Sequence, residues 1–340
     1  VKTKKQYQAA CWKRRFEKEQ KRRFSEEDFI DELKSVMSAV KPLPPLPDYV
    51  PKGSHKPHEA VLLFSDSQIG EKVQAKETGF WDYNFEVFRQ ELKNLFVAIN
   101  NIAGIHRNDY RVDKLNIFFL GDIIEGSGNV YLGQGSRIVT DVYEQAFDVA
   151  IPEIAAFIQG LAKNFKEIFV TGVVGNHGRI RRKDEDLSYV SWDLVVYKMV
   201  ECMLKGLSNV SFDIDKRFQR IVKIFDWNFL LEHGNKGIVR YLRLPTYGFH
   251  HRDADLTLLY QMKGQAFHYY CIGHHHTPLE WCRPEGERII NGTFVGGNAY
   301  ALQELGTAVH PIQKLFFVHP EMGKVCSYNI RLDPPREYVE

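Results

Sequence analysis

Three short apolar runs, Ala60–Phe64, Leu115–Leu120 and Ile168–Val174, alternate along this chain with long stretches whose apolar residues recur at helical spacing. Runs this short and this apolar predict buried strands. The intervening segments predict helices. Asn84–Ile105 gathers Phe88, Leu92, Leu95, Phe96 and Ile99 on one face, and Asp141–Phe165 is helical with a kink expected at Pro152. A third helix is predicted over Tyr189–Lys205. The C-terminal half is richer in strands: Val210–Ile214, Ile221–Phe225, Phe229–Glu232, Phe267–Ile272, Lys314–Val318 and Val325–Ile330. Alternating βαβ units followed by a strand-rich half predict a layered α/β domain built around a pair of sheets.

Ahead of this domain the pattern is different. Val1–Phe24 carries ten Lys/Arg against Glu17 and Glu19, a local net charge of +8. Ser25-Glu26-Glu27-Asp28 resembles a capping box, and Phe29, Leu33, Val36, Met37 and Val40 follow at helical spacing. Pro42, Pro44, Pro45 and Pro47 then form a stiff linker. Residues 1–50 therefore read as a basic helical arm with a proline-rich linker, and 51–340 as the main domain, with the boundary near Pro51. The whole chain carries only +2, so any attraction to nucleic acid must be local. The basic N-terminus is followed by no apolar core of a secretory signal, and no run reaches the length of a membrane span. Five scattered cysteines, with no Cys-x-x-Cys pair, argue against a disulfide framework and favour a reducing, cytoplasmic setting.

Polar residues of the metal-binding types stand directly behind the apolar runs. Asp66-Ser67-Gln68 follows the first strand, Gly121-Asp122-Ile123-Ile124-Glu125 the second and Gly175-Asn176-His177-Gly178 the third. Glu232-His233-Gly234-Asn235 and Gly273-His274-His275-His276 follow two later strands. Singly, each is also what a turn looks like. Five in order, each at a strand end, match the place where open α/β sheets present their ligands. Oxygen donors with imidazole nitrogen suit Mn²⁺, Mg²⁺, Fe or Zn²⁺. Two such ions would repel each other unless a carboxylate lay between them, and Asp122 is the best-placed bridge. A metal pair clamps a phosphate and activates a water for in-line attack.

This ordered set resembles the signature of calcineurin-like metallophosphoesterases, over roughly Ala60 to Thr277. The resemblance implies a four-layer α/β/β/α metallophosphoesterase sandwich, preceded here by the short basic arm, and two divalent metals, Mn²⁺ foremost. It implies that Asp66 and His276 hold the first metal with Asp122 bridging, and that Asn176, His233 and His274 complete the second. His177 would contact the phosphate and, with Asp122, carry catalysis. Two positions depart from the family. Gln68 stands where it has a histidine, as a harder, neutral ligand that binds directly or through water. Gly178 stands where an acidic residue orients the catalytic histidine, and Asp184, Asp186 and Asp193 are the nearby substitutes.

For the substrate, Arg179, Arg181 and Arg182, with Lys183, follow His177 and could grip further phosphates. The basic arm interleaves Tyr7, Trp12, Phe16 and Phe24, a composition suited to nucleic acid. Gly126–Gly135 and Tyr247–Arg252 are candidate walls of the pocket. Within the family the arm and cationic rim most resemble the DNA-repair exonuclease branch. The sequence thus predicts a nuclease or nucleotide phosphodiesterase with nucleic acid as partner and no membrane. The alternatives are a phosphomonoesterase acting on protein or small molecules, and a nucleic-acid-binding module with weak or lost catalysis.

Overall fold

The computed structural model describes residues 56–131, 133–181, 185, 187, 189–238, 246–298, 302 and 308–333. The predicted arm and linker, residues 1–50, and the boundary near Pro51 lie outside them. The apolar runs form strands as predicted. β1 (Pro57–Phe64), β2 (Arg111–Phe119), β3 (Glu167–Gly172) and β4 (Val210–Asp213) pair in parallel. β10 (Ile312–His319) joins β1 antiparallel and carries β11 (Gly323–Arg331), giving the order β11-β10-β1-β2-β3-β4. A second sheet is built from β5 (Gln219–Ile224), β6 (Trp227–Glu232), β7 (Tyr269–Ile272), β8 (Leu279–Arg283) and β9 (Gly286–Ile290), in the order β5-β6-β7-β9-β8. Its central neighbours β6, β7 and β9 are parallel.

Alternate side chains explain why the sheets face each other. Val61, Leu63, Phe118, Phe316 and Val318 of the first sheet form one buried cluster with Phe229, Leu231, Tyr269, Cys271 and Ile289 of the second. The opposite face of the first sheet is covered by α1 (Phe85–His106), α2 (Ile151–Leu161) and α3 (Trp192–Leu204). Phe64 meets Phe157 at 6.1 Å there, and Phe119 stacks on Tyr197 at 4.8 Å. The outer face of the second sheet is covered by α4 (Thr246–Met262), through Phe249, Leu256 and Tyr260 against Leu230, Tyr270, Ile272 and Ile290. Helices, sheet, sheet and helix make the four layers that the resemblance implies. Among the described residues no helix is long and apolar enough to cross a membrane.

Two predicted elements differ. The helix expected over Asp141–Phe165 is a π-helical segment, Glu144–Ala150, followed by α2. Pro152 has no N–H to give and its ring crowds the preceding turn, and the wider π-turns just before it take up the conflict. The candidate wall Tyr247–Arg252 is the first part of α4 rather than a loop.

At the far end of β1, His58 is 3 % exposed, stacked on Tyr110 at 4.0 Å and edge-on to His319 at 5.3 Å. Neither ring nitrogen has a hydrogen-bond partner. Burial, together with His319 and His106, pushes its pKa down to about 4. The unfolded chain, at about 6.5, takes up the proton first as pH falls. Stability linked to His58 is therefore complete above about pH 7 and drains away between roughly 6.5 and 4. Phe at this position keeps the stack and forfeits no hydrogen bond. Between pH 7 and pH 5 the wild-type chain is expected to lose roughly 1–2 kcal/mol more than His58→Phe, read from urea midpoints. Equal losses in the two proteins would remove His58 as the titrating group.

Candidate metal centre

The strands β1, β2 and β3 end side by side, and β6 and β7 end side by side in the facing sheet. Past these ends the loops continue to hydrogen-bond. The amide of Asp66 donates to the Gly121 carbonyl at 3.0 Å, that of Gln68 to the Asp122 carbonyl at 3.0 Å, and that of Gly273 to the His233 carbonyl at 3.0 Å. The Ser67 hydroxyl donates to the Ile123 carbonyl at 2.7 Å, and the amide of Phe294 to the Asp66 carbonyl at 3.1 Å. These cross-links force an unusual backbone. Among the described residues six non-glycine residues have positive φ: Asp66, Gln68, Asp122, His274, His276 and Phe225. Five of the six are predicted metal ligands. Each such conformation costs on the order of 1–3 kcal/mol, and such strain persists where the surrounding structure dictates it, typically at functional sites.

The side chains so aimed converge. Ligand atoms of Asp122, His233 and His274 all lie within 4.8 Å of one another. His233 Nε2 is 3.0 Å from Asp122 Oδ2 and 3.1 Å from Asn176 Oδ1. Its Nδ1 lies 2.6 Å from the Leu120 carbonyl, which fixes the proton there and leaves Nε2 for the site. On the other side His276 Nε2 is 3.5 Å from Asp66 Oδ1 and 3.4 Å from Gln68 Nε2. Gln68 Nε2 is also 3.3 Å from His177 Nε2, which joins the two groups. All seven predicted ligands, Asp66, Gln68, Asp122, Asn176, His233, His274 and His276, thus meet in one place.

The donor set fits divalent cations. Gln68 is 1 % exposed, yet its Oε1 has no hydrogen-bond partner, while its Nε2 sits between two imidazole nitrogens. Turning the amide over brings a hard oxygen to that place, where a cation would satisfy it. Electrostatics agree. Burial opposes the ionised form of Asp122, but His233 and His177 hold it well below the usual carboxylate range. Burial opposes protonation of His233 too, and the Asp122 charge raises it to about 9. Burial and the facing His233 keep His274 neutral, well below its ordinary value. A proton on His233 therefore stands in for positive charge that metal would supply on binding, with release of that proton.

His177 lies beside the centre, its Nε2 4.0 Å from Asp122 Oδ2. Burial lowers its basicity, but Glu125 and Asp122 raise it to about 10. Of the acids expected to face it, Asp184 and Asp186 lie outside the described residues and Asp193 does not face it. Asp193 turns instead to backbone amides, those of Asp122 and Ile123 at 3.0 Å each and Gly175 at 2.7 Å. The residue at His177 is Glu125, whose Oε2 is 2.8 Å from Nδ1. Its position in Gly-Asp-Ile-Ile-Glu was visible in the sequence, but its partner, 52 residues on, was not. Glu71 was missed as well. It is fully buried close to Glu125 and His177, and burial and the Glu125 charge push its pKa up to about 8.

On the rim, Asn129 Nδ2 reaches the Ile180 carbonyl at 3.4 Å, so the 126–131 and 179–181 loops touch. The Tyr131 ring lies 6.4 Å from that of His177. Arg179 Nε donates to the Asn176 carbonyl at 2.7 Å, which commits part of this cation to holding the loop. Arg182 lies outside the described residues.

No family model matches the chain, and no curated protein matches it as a relative. Among solved structures it is similar to an archaeal phosphodiesterase, 11% identical, covering 79% of this chain and 99% of that one, with a TM-score of 0.36. It is similar to a predicted phosphoesterase from Streptococcus pneumoniae TIGR4, 12% identical, over 80% and 98% of the two chains, with a TM-score of 0.30. Vacuolar protein sorting 29 from Cryptosporidium parvum is 11% identical, over 81% and 98%, with a TM-score of 0.35. At such identities and scores, the chemistry of the centre is read from its own side chains.

Proposed function

We propose that this chain is a metal-dependent phosphoesterase that hydrolyses phosphodiesters, as a nuclease or nucleotide phosphodiesterase. The observation that carries this reading is the convergence of Asp66, Gln68, Asp122, Asn176, His233, His274 and His276 from five strand ends, several on strained backbone, around a buried Gln68 oxygen without a partner. Asp66, Gln68 and His276 would hold one cation, Asn176, His233 and His274 the other, and Asp122 both. The hard oxygen donors favour Mn²⁺ or Mg²⁺ over softer metals, with Fe and Zn²⁺ within reach of the imidazoles. Such a pair, when bound, supplies Lewis-acid activation of the phosphate and an acidified water. His233 and Asn176 keep their orientation through Leu120 and the Asp122 loop. His177 is held where it can hydrogen-bond a phosphate oxygen, and Arg179 and Arg181 stand on the adjoining loop, where further phosphates of a polyanion would pass. The +8 charge of residues 1–24 supports nucleic acid as the polyanion.

The experiment pairs an aryl phosphodiester with the corresponding monoester under each of Mn²⁺, Mg²⁺, Zn²⁺ and Fe²⁺, with metal content determined alongside. Faster diester hydrolysis at about two metal equivalents is expected. Faster monoester hydrolysis makes the chain a phosphatase, and no turnover on either with metal bound makes it a binding module. Nucleic acid should compete with the diester less effectively as salt rises; competition that is absent, or insensitive to salt, removes it as substrate.

A further inference from the structure

On the Asp66 side of the centre the chain holds two stacked aromatic rings that the candidate ligands do not use. After Gln68 it runs out into a lobe and returns at Tyr83. Val73 and Tyr83 exchange backbone hydrogen bonds at 3.0 Å each and close the lobe at its base, where the Tyr83 hydroxyl donates to the Ser67 carbonyl. The lobe therefore grows from the loop that carries Asp66 and Gln68. It contains a helical turn, Ala75–Thr78, followed by Phe80 and Trp81. The two rings stack, with centroids 5.4 Å apart at an angle of 27°. Trp81 lies on Gly296, where a Cβ would come within 2.7 Å of its Cε3, and edge-on to His310 at 4.9 Å. Gly296 is three residues beyond Thr293, whose hydroxyl donates to the Asp66 carbonyl at 2.9 Å. Both supports of the pair are thus tied to the Asp66 loop, and Phe80 stands three residues from Tyr83, at most about 10 Å of extended chain.

Phe80 is 49 % exposed, while its stacking partner Trp81 is partly buried. A phenylalanine left facing water forgoes part of the roughly 1.5–3 kcal/mol that burial would give. Single exposed rings are commonplace, but this one is held in place. The Phe80 amide donates to Thr78 Oγ1 at 3.3 Å, and Asp82 Oδ1 accepts the Ala75 amide at 2.7 Å, so the segment is fixed on both sides of the ring. A ring already ordered binds without a further entropic cost. The acids of the segment are engaged, Asp82 by that amide and Glu77 by Arg137 at 3.2 Å. Lys72 and Lys76 are exposed on the same segment. A flat apolar face accompanied by cations matches a nucleobase with its neighbouring phosphates, since the base takes the ring and the backbone takes the lysines. An apolar protein surface would gain from the ring but not from the lysines.

We propose that Phe80, backed by Trp81, is a subsite for a nucleobase of the substrate, with Lys72 and Lys76 meeting the adjoining phosphates. This rests on the phosphodiesterase reading above and narrows it: the substrate carries an unpaired base within reach of the phosphate at the metal centre.

The probes are a labelled short oligothymidylate and an abasic strand of the same length, which has the phosphates without the bases. Anisotropy is read on the full chain with a chelator present, so that neither strand is cut. The wild type should bind the base-bearing strand about 5–150-fold more tightly, the worth of one stacked base. Phe80→Ala should bind both strands alike with an unchanged unfolding midpoint, and its KM for a dinucleotide should rise by a similar factor. Phe80→Trp should restore the preference, and the base-bearing strand should quench the new indole where the abasic strand does not. Equal affinity for the two strands in the wild type, or no affinity for either, would overturn the inference. So would a preference that survives Phe80→Ala, which would put the bases elsewhere on the chain. A chain that binds metal and shows the Phe80-dependent preference, yet hydrolyses neither diester nor monoester, would sink the phosphoesterase reading and leave the subsite standing.

Discussion

Asp122→Asn is expected to leave the fold in place and to remove both metal and turnover, with kcat/KM lower by about 10²–10⁴-fold. The two oxygens of Asp122 do different work. Oδ1 accepts the amides of Asn176 at 2.6 Å and His177 at 2.7 Å, so it holds the β3 loop. Oδ2 lies 3.0 Å from His233 Nε2, facing the candidate ligands. An asparagine must put its carbonyl oxygen at the Oδ1 position, because two N–H donors already point there. Its NH₂ group then takes the place of Oδ2. The loop survives, but a donor would stand where the proposed bridge needs an anion, and the two cations would lose the ligand they would share. Breaking a buried charged contact of this sort costs roughly 3–5 kcal/mol, which sets the size of the effect. Elemental analysis, thermal unfolding and diester turnover on one preparation check it. A variant that keeps its full metal load and turns over within tenfold of wild type would show that Asp122 is not the bridge.

How much of this was legible in the sequence depends on how local the cause is. The strands β1, β2 and β3 were readable because both faces are buried, so the runs Ala60–Phe64, Leu115–Leu120 and Ile168–Val174 are apolar except at Asn116, Thr171 and Gly172. The candidate ligands stood out because each polar motif breaks such a run at its end. The β8–β9 hairpin was not, because Glu280, Glu287 and Arg288 interrupt it. Their reasons are tertiary: Glu280 pairs with Lys314 of β10 at 2.9 Å, and Arg288 with the buried Asp253 of α4. Pro284-Glu285-Gly286 was the turn signal that could have revealed the hairpin. The helix α4 was missed because its apolar residues point both ways. Phe249 and Leu256 are buried, whereas Leu258 and Met262 are 62% and 80% exposed, so no period stands out. Within the site, the residue type at each candidate ligand position was local information. The strained φ values and the Glu125–His177 pairing were not, since they arise from contacts between loops far apart in sequence.

Asp193→Ala is expected to destabilise the protein by about 3–9 kcal/mol and to abolish metal binding, although Asp193 is not among the predicted ligands. Its fully buried carboxylate accepts the amides of Asp122, Ile123 and Gly175. Among the described residues these three amides donate to no other acceptor. The β2 and β3 loops approach so closely that a Cβ on Gly175 would fall 2.1 Å from Asp122 Oδ1 and 2.3 Å from the Asp122 amide. Alanine leaves three buried N–H groups unpaired at roughly 1–3 kcal/mol each, a large share of the 5–15 kcal/mol typical of a folded domain. The same bonds hold Asp122 at φ 55°, so their loss frees the backbone that aims its carboxylate. Asparagine tests the cause. Its carbonyl at the Oδ2 position still accepts two of the amides and only Ile123 N–H meets a donor, so Asp193→Asn should cost about 1–3 kcal/mol and keep much of its metal. Denaturant midpoints and metal content for the two variants should fall in that order. If alanine and asparagine are equally stable, the three amides are not what fixes the loops, and the strain at Asp122 must be held by the strands alone.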